Sequence, residues 1–287
     1  MVNVYLKRIP IVFFLLTAVF ICGCSLFHER PFSPFQEPLP PDLDPAGIVR
    51  LLEKRSQAHD NLWASGKIVL SGKPFKGKTF FNATLLYNQP GDLRLRGSRL
   101  VTSTLFEFII NDDRVALALN RDKLWYLGAR EELLSNPEIT FGMDPLSLPS
   151  ALQIEQELLY LLKSGEIKSW KKTGDGYIFV SRVRNGVKKA FLLRERDLLV
   201  KQAAVYGSAG KQILRLEYEY YDVFGEEILP GKLNAVFPRT DVNAEISIDE
   251  YKRPPEFHEK VFSIVPPPGF ETRPLHELLR SGAQPRP

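Results

Sequence analysis

Residues 79–127 read TFFNATLLYNQPGDLRLRGSRLVTSTLFEFIINDDRVALALNRDKLWYL. Apolar and polar side chains alternate here in short runs, and the runs are separated by turn-forming residues, Asn88-Gln89-Pro90-Gly91-Asp92 and then Asn111-Asp112-Asp113. A period of two sends successive side chains to opposite faces of a pleated strand, while Asn, Asp, Gly and Pro supply the backbone conformations of tight turns. The stretch therefore predicts an antiparallel meander of strands at Thr79–Tyr87, Leu93–Gly97, Leu105–Ile110, Arg114–Asn120 and Lys123–Leu127.

The same pattern extends both ways. Gly66–Ser71 precedes it. Beyond an interruption it resumes at Ile167–Lys172, Tyr177–Arg184, Val187–Arg194, Leu198–Tyr206, Gln212–Tyr221, Lys232–Phe237 and Glu245–Tyr251, with Asn185-Gly186 the strongest hairpin signal. About a dozen short strands joined by tight turns imply one curved antiparallel sheet. Two helices break the pattern. Asp44-Pro45 is an N-cap acid followed by proline at the first helical position, and Ile48, Leu51, Leu52 and Leu62 follow on an apolar stripe. Within the interruption, Ala151–Lys163 reads as a helix with Leu152, Glu155, Leu158, Leu159 and Leu162 inward. No fixed-period repeat is present, which disfavours a propeller or solenoid.

Of 287 residues, 44% are apolar and 25% charged, which is ordinary globular usage. Both cysteines, Cys22 and Cys24, lie in the first 24 residues, so the body has no thiol for a disulfide, a nucleophile or a zinc site. Lys7 and Arg8 precede an apolar run, Ile9–Ile21, that is short for a bilayer span and reads as a signal peptide over residues 1–23. Ile21-Cys22-Gly23-Cys24 resembles the lipobox of bacterial lipoproteins, whose final cysteine is acylated, so Cys24 is the expected lipidation site. One acyl chain binds a membrane marginally and two or more hold it. Without residues 1–23 the balance is 36 basic against 34 acidic side chains, which gives no general reason to expect nucleic acid. Residues 24–43 are the expected tether. Prolines 31, 34, 38, 40 and 41 favour extended geometry there, and at about 3.1 Å per residue its 19 residues from Ser25 reach roughly 60 Å.

The order of these features resembles the lipoprotein localisation factors LolA and LolB. The matching stretches are Leu62-Trp63-Ala64-Ser65-Gly66-Lys67, Tyr87 through Arg96, Leu105-Phe106-Glu107-Phe108, Leu148-Pro149 with its helix, and Val261 through Phe270. Together they cover most of residues 44–270, and their order and spacing carry the likeness. The lipobox brings the chain closer to the anchored LolB than to the soluble LolA. The resemblance implies a mainly β protein with helices (α+β): an open, curved antiparallel half-barrel of about eleven strands, with helices packed on its concave face around a cavity for acyl chains. It also implies an outer-membrane lipoprotein facing the periplasm, and Ser25 after the cysteine agrees with outer-membrane sorting. The implied function is binding and transfer of a lipid or lipoprotein. The alternative is a non-catalytic assembly lipoprotein that uses the same fold as a docking scaffold.

Candidate cavity-lining residues on the inward alternation are Phe81, Leu85, Leu95, Phe106, Phe108, Leu117, Trp125, Phe179, Phe191 and Leu216, with Ala83 and Tyr218 among others beside them. Taken singly each reads first as hydrophobic core, and only as a set do the cavity and core readings balance, because an acyl-binding lining and a core look alike in sequence. Leu100 and Val101 are apolar at a hairpin tip, where LolB-like proteins carry a membrane-contacting residue. No nucleophile elbow, phosphate loop, dinucleotide fingerprint or zinc motif is present, and the four histidines lie far apart. The chain is therefore read as a non-enzyme with no catalytic residue, metal or cofactor. Its expected partners are membrane lipid, acyl cargo and a soluble LolA-like carrier, and it is read as a monomer. Residues 271–287 are expected to form a frayed C-terminal tail.

Overall fold

The computed structural model describes residues 43–55, 61–89, 91–100, 103–135, 147–182, 186–207, 209–225 and 227–280. The signal segment, Cys24, the tether up to residue 42, Val101 and the side chain of Leu100 lie outside the described residues.

Asp44 caps the first helix as its sequence predicts, its Oδ1 accepting from Gly47 N at 2.7 Å. This helix, α1 (Pro45–Arg55), buries Ile48 and Leu52 completely. The strands that follow are β1 (Asn61–Gly72), β2 (Thr79–Asn88), β3 (Asp92–Leu100), β4 (Ser103–Asn111), β5 (Arg114–Leu119) and β6 (Leu124–Ala129). Three helices interrupt them: α2 (Arg130–Ser135), α3 (Ser147–Leu152) and α4 (Ile154–Lys163). The expected single helix over 151–163 is thus two, divided at Gln153, whose φ of −113° and ψ of 38° are not helical. The second run comprises β7 (Ile167–Thr173), β8 (Gly176–Ser181), β9 (Lys188–Leu193), β10 (Val200–Tyr206), β11 (Gln212–Phe224), β12 (Glu227–Phe237) and β13 (Val242–Lys252).

All of these strands join one open, curved sheet of fourteen, in the order β14-β6-β5-β4-β3-β2-β1-β13-β12-β11-β10-β9-β8-β7. The sequence placed each strand from β1 to β13, and the count exceeds the expected eleven. The last member, β14 (Glu271–Pro274), comes from the expected tail and runs parallel to β6. Glu271 N donates to Lys123 O at 2.9 Å and Leu275 N to Leu127 O at 2.8 Å, so the segment is docked rather than frayed. The two meanders meet at β1 and β13, which pair antiparallel from Trp63 opposite Lys252 to Gly72 opposite Val242.

The sheet buries both faces unequally. The main face carries the principal core, shared with α1, α3 and α4. On the other face a smaller cluster of Ile109, Ala116, Ala118 and Trp125 lies under Ile264 and Phe270. Beyond β14 the chain returns to the principal core, where Leu275 and, from the final helix α5 (Glu277–Arg280), Leu278 pack, and a short 3₁₀ turn (Glu259–Phe262) precedes the covering segment. Arg94 Nη1 donates to Val261 O at 2.7 Å and holds that segment to β3. Leu275 is fully buried against Gly128, where an added Cβ would lie 2.6 Å from Leu275 Cβ. Gly128→Ala therefore forces β14 away from β6 and is expected to lower stability by about 1–3 kcal/mol, read as a shift in the denaturant midpoint.

Candidate functional site

The sequence Ala64-Ser65-Gly66-Lys67-Ile68 places small residues on the main face of β1, and the register sets Ala64 opposite Leu85 and Gly66 opposite Ala83. On the next strand Leu95 faces Leu85 and Gly97 faces Ala83, so Gly66, Ala83 and Gly97 form one row across three strands. Gly66 also sits at a bulge against β13, where an added Cβ would lie 2.1 Å from the Ser247 carbonyl oxygen. A row without bulk leaves a trough in the sheet. Helix α3 lies over it, and Leu148 and Leu152 close its roof above Ala64, Ala83, Leu85, Leu95, Ile246 and Ile248. The space left is about 20 Å³, which is room for one water at most and none for an acyl chain in this arrangement.

Ionic groups fasten the helices around the trough. Arg55, at the end of α1, grips Glu155 of α4 with two bonds of 2.8 and 2.7 Å. The same guanidinium donates to the carbonyls of Asp197 and Leu198 at 2.8 and 2.7 Å. Asp197, fully buried, accepts from Arg194 Nε at 2.9 Å, Arg196 Nε at 3.2 Å and Leu199 N at 3.1 Å. Across the α3–α4 junction, Arg253 pairs with Glu227 through bonds of 2.9 and 2.8 Å and donates to Gln153 Oε1 at 3.0 Å. Tyr218 adds a hydroxyl bond of 3.0 Å to the Ala151 carbonyl, and Lys189 pairs with Glu157.

Burial sets the protonation of this frame. It raises the Glu155 carboxyl above its ordinary value, and the opposing pull of Arg55 does not cancel it. Burial likewise pushes the Tyr218 and Tyr221 hydroxyls well up. For Glu155 the folded chain holds its proton more tightly than the unfolded chain, so its contribution is fully present below the ordinary carboxylate pKa of 4.5 and is lost as pH rises through the raised value. Glu155→Gln cannot titrate. The stability of the wild type relative to that variant is expected to be greatest near pH 4 and to fall as pH increases, in denaturant titrations run in parallel.

The expected lining residues, Trp125 apart, separate into three groups. Leu85 and Leu95 border the trough itself. Phe81, Phe106, Phe108 and Leu117 share the main face near it, with Phe106 edge-on to Phe81 at 5.3 Å and its ring over Gly97. Phe179, Phe191 and Leu216 lie in another part of the main core, along a cross-strand row from Trp170 through Ala203. Trp125 is a correction: it occupies the opposite face, 1% exposed beneath Phe270 and Ile264, because its register neighbour Ala118 belongs to that face. Its indole N–H has no hydrogen-bond partner among the described residues. The alternation did not single out Ala64, Gly66, Ile246, Ile248 or Leu148; for the first two, the available signal was the small residue at every second position. Glu217 and Glu219, spaced like an acid pair, are partly exposed and ion-paired to Arg215 and Lys232.

No protein-family model and no curated protein matches the chain. Solved structures share the fold: proteins described as LolA-superfamily, DUF1329 or outer membrane lipoprotein-sorting domains superpose on most of the chain. A LolA superfamily protein of Nitrosomonas europaea superposes with a TM-score of 0.51 at 10% identity, over 78% of this chain and 99% of that one. A domain of Vibrio parahaemolyticus assigned to outer membrane lipoprotein sorting gives 0.51 at 13% identity, over 75% and 94%. A DUF1329 family protein of Desulfovibrio piger gives 0.51 at 10%, over 77% and 98%. At such identities the likeness is one of fold.

Proposed function

We propose that the chain is a lipoprotein, anchored through Cys24 and facing the periplasm at the outer membrane, that binds acyl chains of a lipid or lipoprotein and aids their transfer. The observation that carries this reading is the trough of Ala64, Gly66 and Ala83, a depression in a large sheet whose cover is a six-residue helix rather than side chains of the sheet itself. Withdrawal of Leu148 and Leu152 opens an apolar slot there, and binding then rests on burial at about 25 cal/mol per Å² with no covalent chemistry. The acyl site is thus narrower than the sequence list: Leu85 and Leu95 belong to it directly, and Phe81, Phe106, Phe108 and Leu117 form its wall. Leu100 and Val101 stay proposed as membrane contacts at the β3–β4 tip, and a soluble LolA-like carrier as the donor of cargo.

The test is binding of a fluorescent long-chain fatty acid to the purified chain, together with mass spectrometry of copurified lipid. Ala83→Leu fills the slot and is expected to weaken probe binding at least tenfold while circular dichroism is unchanged. The narrowness of the closed cavity, about 20 Å³, favours the second reading, a docking scaffold with a dry core. Absence of both copurified lipid and probe binding in the wild type decides for that scaffold.

A further inference from the structure

Leu152 is 1% exposed and lines two recesses at once. One is the apolar trough. The other, about 10 Å³ in the closed arrangement, lies on the far side of the α3–α4 junction and is bordered by Arg55, Gln153, Glu155 and Glu227. A single leucine thus separates a slot suited to hydrocarbon from a recess lined by the buried pair Arg55–Glu155 and by Glu227, whose buried partner is Arg253, with side-chain exposures of 10% and 8% for the first pair and 10% and 15% for the second.

We infer that the second recess is the headgroup end of the same site and takes a zwitterionic headgroup, one carrying a phosphate and an ammonium. The inference rests on the acyl-binding reading above. Its chemistry follows from the balance of charge. Arg55 meets two carboxylates there, Glu155 and Glu227, the second already paired with Arg253, and removing one member of a buried pair strands the other without compensation. A purely anionic headgroup satisfies an arginine but releases a glutamate with no partner. A headgroup with both signs exchanges with a whole pair: the phosphate takes the planar fork of the guanidinium, and the ammonium takes the carboxylate. Gln153, 7% exposed and already bonded to Arg253, supplies a neutral partner beside the exchange. The same movement of α3 that withdraws Leu152 joins the two recesses, so chain and headgroup enter in one step.

The experiment compares three short-chain lipids of equal acyl length, used below their micelle concentrations with the full chain: a diacylglycerol, a phosphatidylglycerol and a phosphatidylethanolamine. The expected order has phosphatidylethanolamine about tenfold tighter than either of the others. Glu227→Gln is expected to remove that preference and to leave diacylglycerol binding in place. Equal binding of all three lipids by the wild type overturns the headgroup assignment and leaves the acyl site standing, as does tighter binding of phosphatidylglycerol. Failure of all three to bind, diacylglycerol included, overturns the acyl-binding reading and this one with it. The wild-type comparison decides the matter by itself if Glu227→Gln does not fold.

Discussion

Replacing Arg55 with Met is expected to lower the free energy of unfolding by about 3–5 kcal/mol, the cost of leaving a buried charge without its counter-ion. Four of its bonds, two to Glu155 and one each to the carbonyls of Asp197 and Leu198, tie α1 to α4 and both to the β9–β10 connection. Methionine retains much of the aliphatic stem, so the loss measured is that of the guanidinium. The Glu155 carboxylate is then buried alone and its pKa rises further, so the unfolding midpoint shifts most strongly at pH above that raised value, where the charged form must be buried. Adding Glu155→Leu in the same chain removes the stranded carboxyl. The double variant is expected to be more stable than Arg55→Met, and the double-mutant cycle measures the coupling of the pair. A double variant that loses the full sum of the two single losses contradicts the latch.

Phe191→Ala is expected to cost about 3–5 kcal/mol, as for a large aromatic lost from a packed interior. Phe191 is 1% exposed, and the strand register flanks it with Phe179 on one side and Ala203 on the other. Trp170 stacks on Phe179 with ring centroids 6.3 Å apart, so the β7 edge depends on the same row. The truncation also separates core from site. If the β7–β11 part of the main face is plain core, acyl-probe affinity stays within a few fold of wild type while stability falls. Equal loss of both places the acyl site along that row instead.

The fold was legible where bulk alternates and turn residues punctuate it. Every strand from β1 to β13 announces itself in that way, and Asp44-Pro45 marks the start of α1 by an acceptor and a preset φ. Strand β14 does not, because Glu271-Thr272-Arg273-Pro274 is short and polar and follows three consecutive prolines, Pro266 to Pro268. Its pairing depends on Leu275 finding Gly128, a long-range contact with no local signature. Trp125 was assigned to the wrong face because β6 buries both Trp125 and Tyr126, at 1% and 2% exposure. Alternation has no sign when both faces are covered. The trough was only partly visible for the opposite reason: Ala83 was among the inward residues, but Ala64 and Gly66 matter for the volume they lack, and a search for large apolar side chains passes over them. Glu155 showed itself as a carboxylate on the inward side of its helix, but its pairing with Arg55 joins helices from distant parts of the sequence and has no local signature.

The pairing of β1 with β13 has a consequence in time. Every other antiparallel neighbour in the sheet is adjacent in sequence or nearly so and forms with a short loop, whereas this seam joins the first strand to the thirteenth. Closing it carries the largest loop entropy in the molecule, and contacts of that range slow folding. Until Val242–Lys252 has been synthesised, β1 is an open edge with Ala64, Gly66 and Ile68 on one side and unpaired backbone along its length, a surface prone to pairing with other chains. The trough is therefore completed last: its floor forms early with β1 to β3, but Ile246 and Ile248 arrive only with the seam.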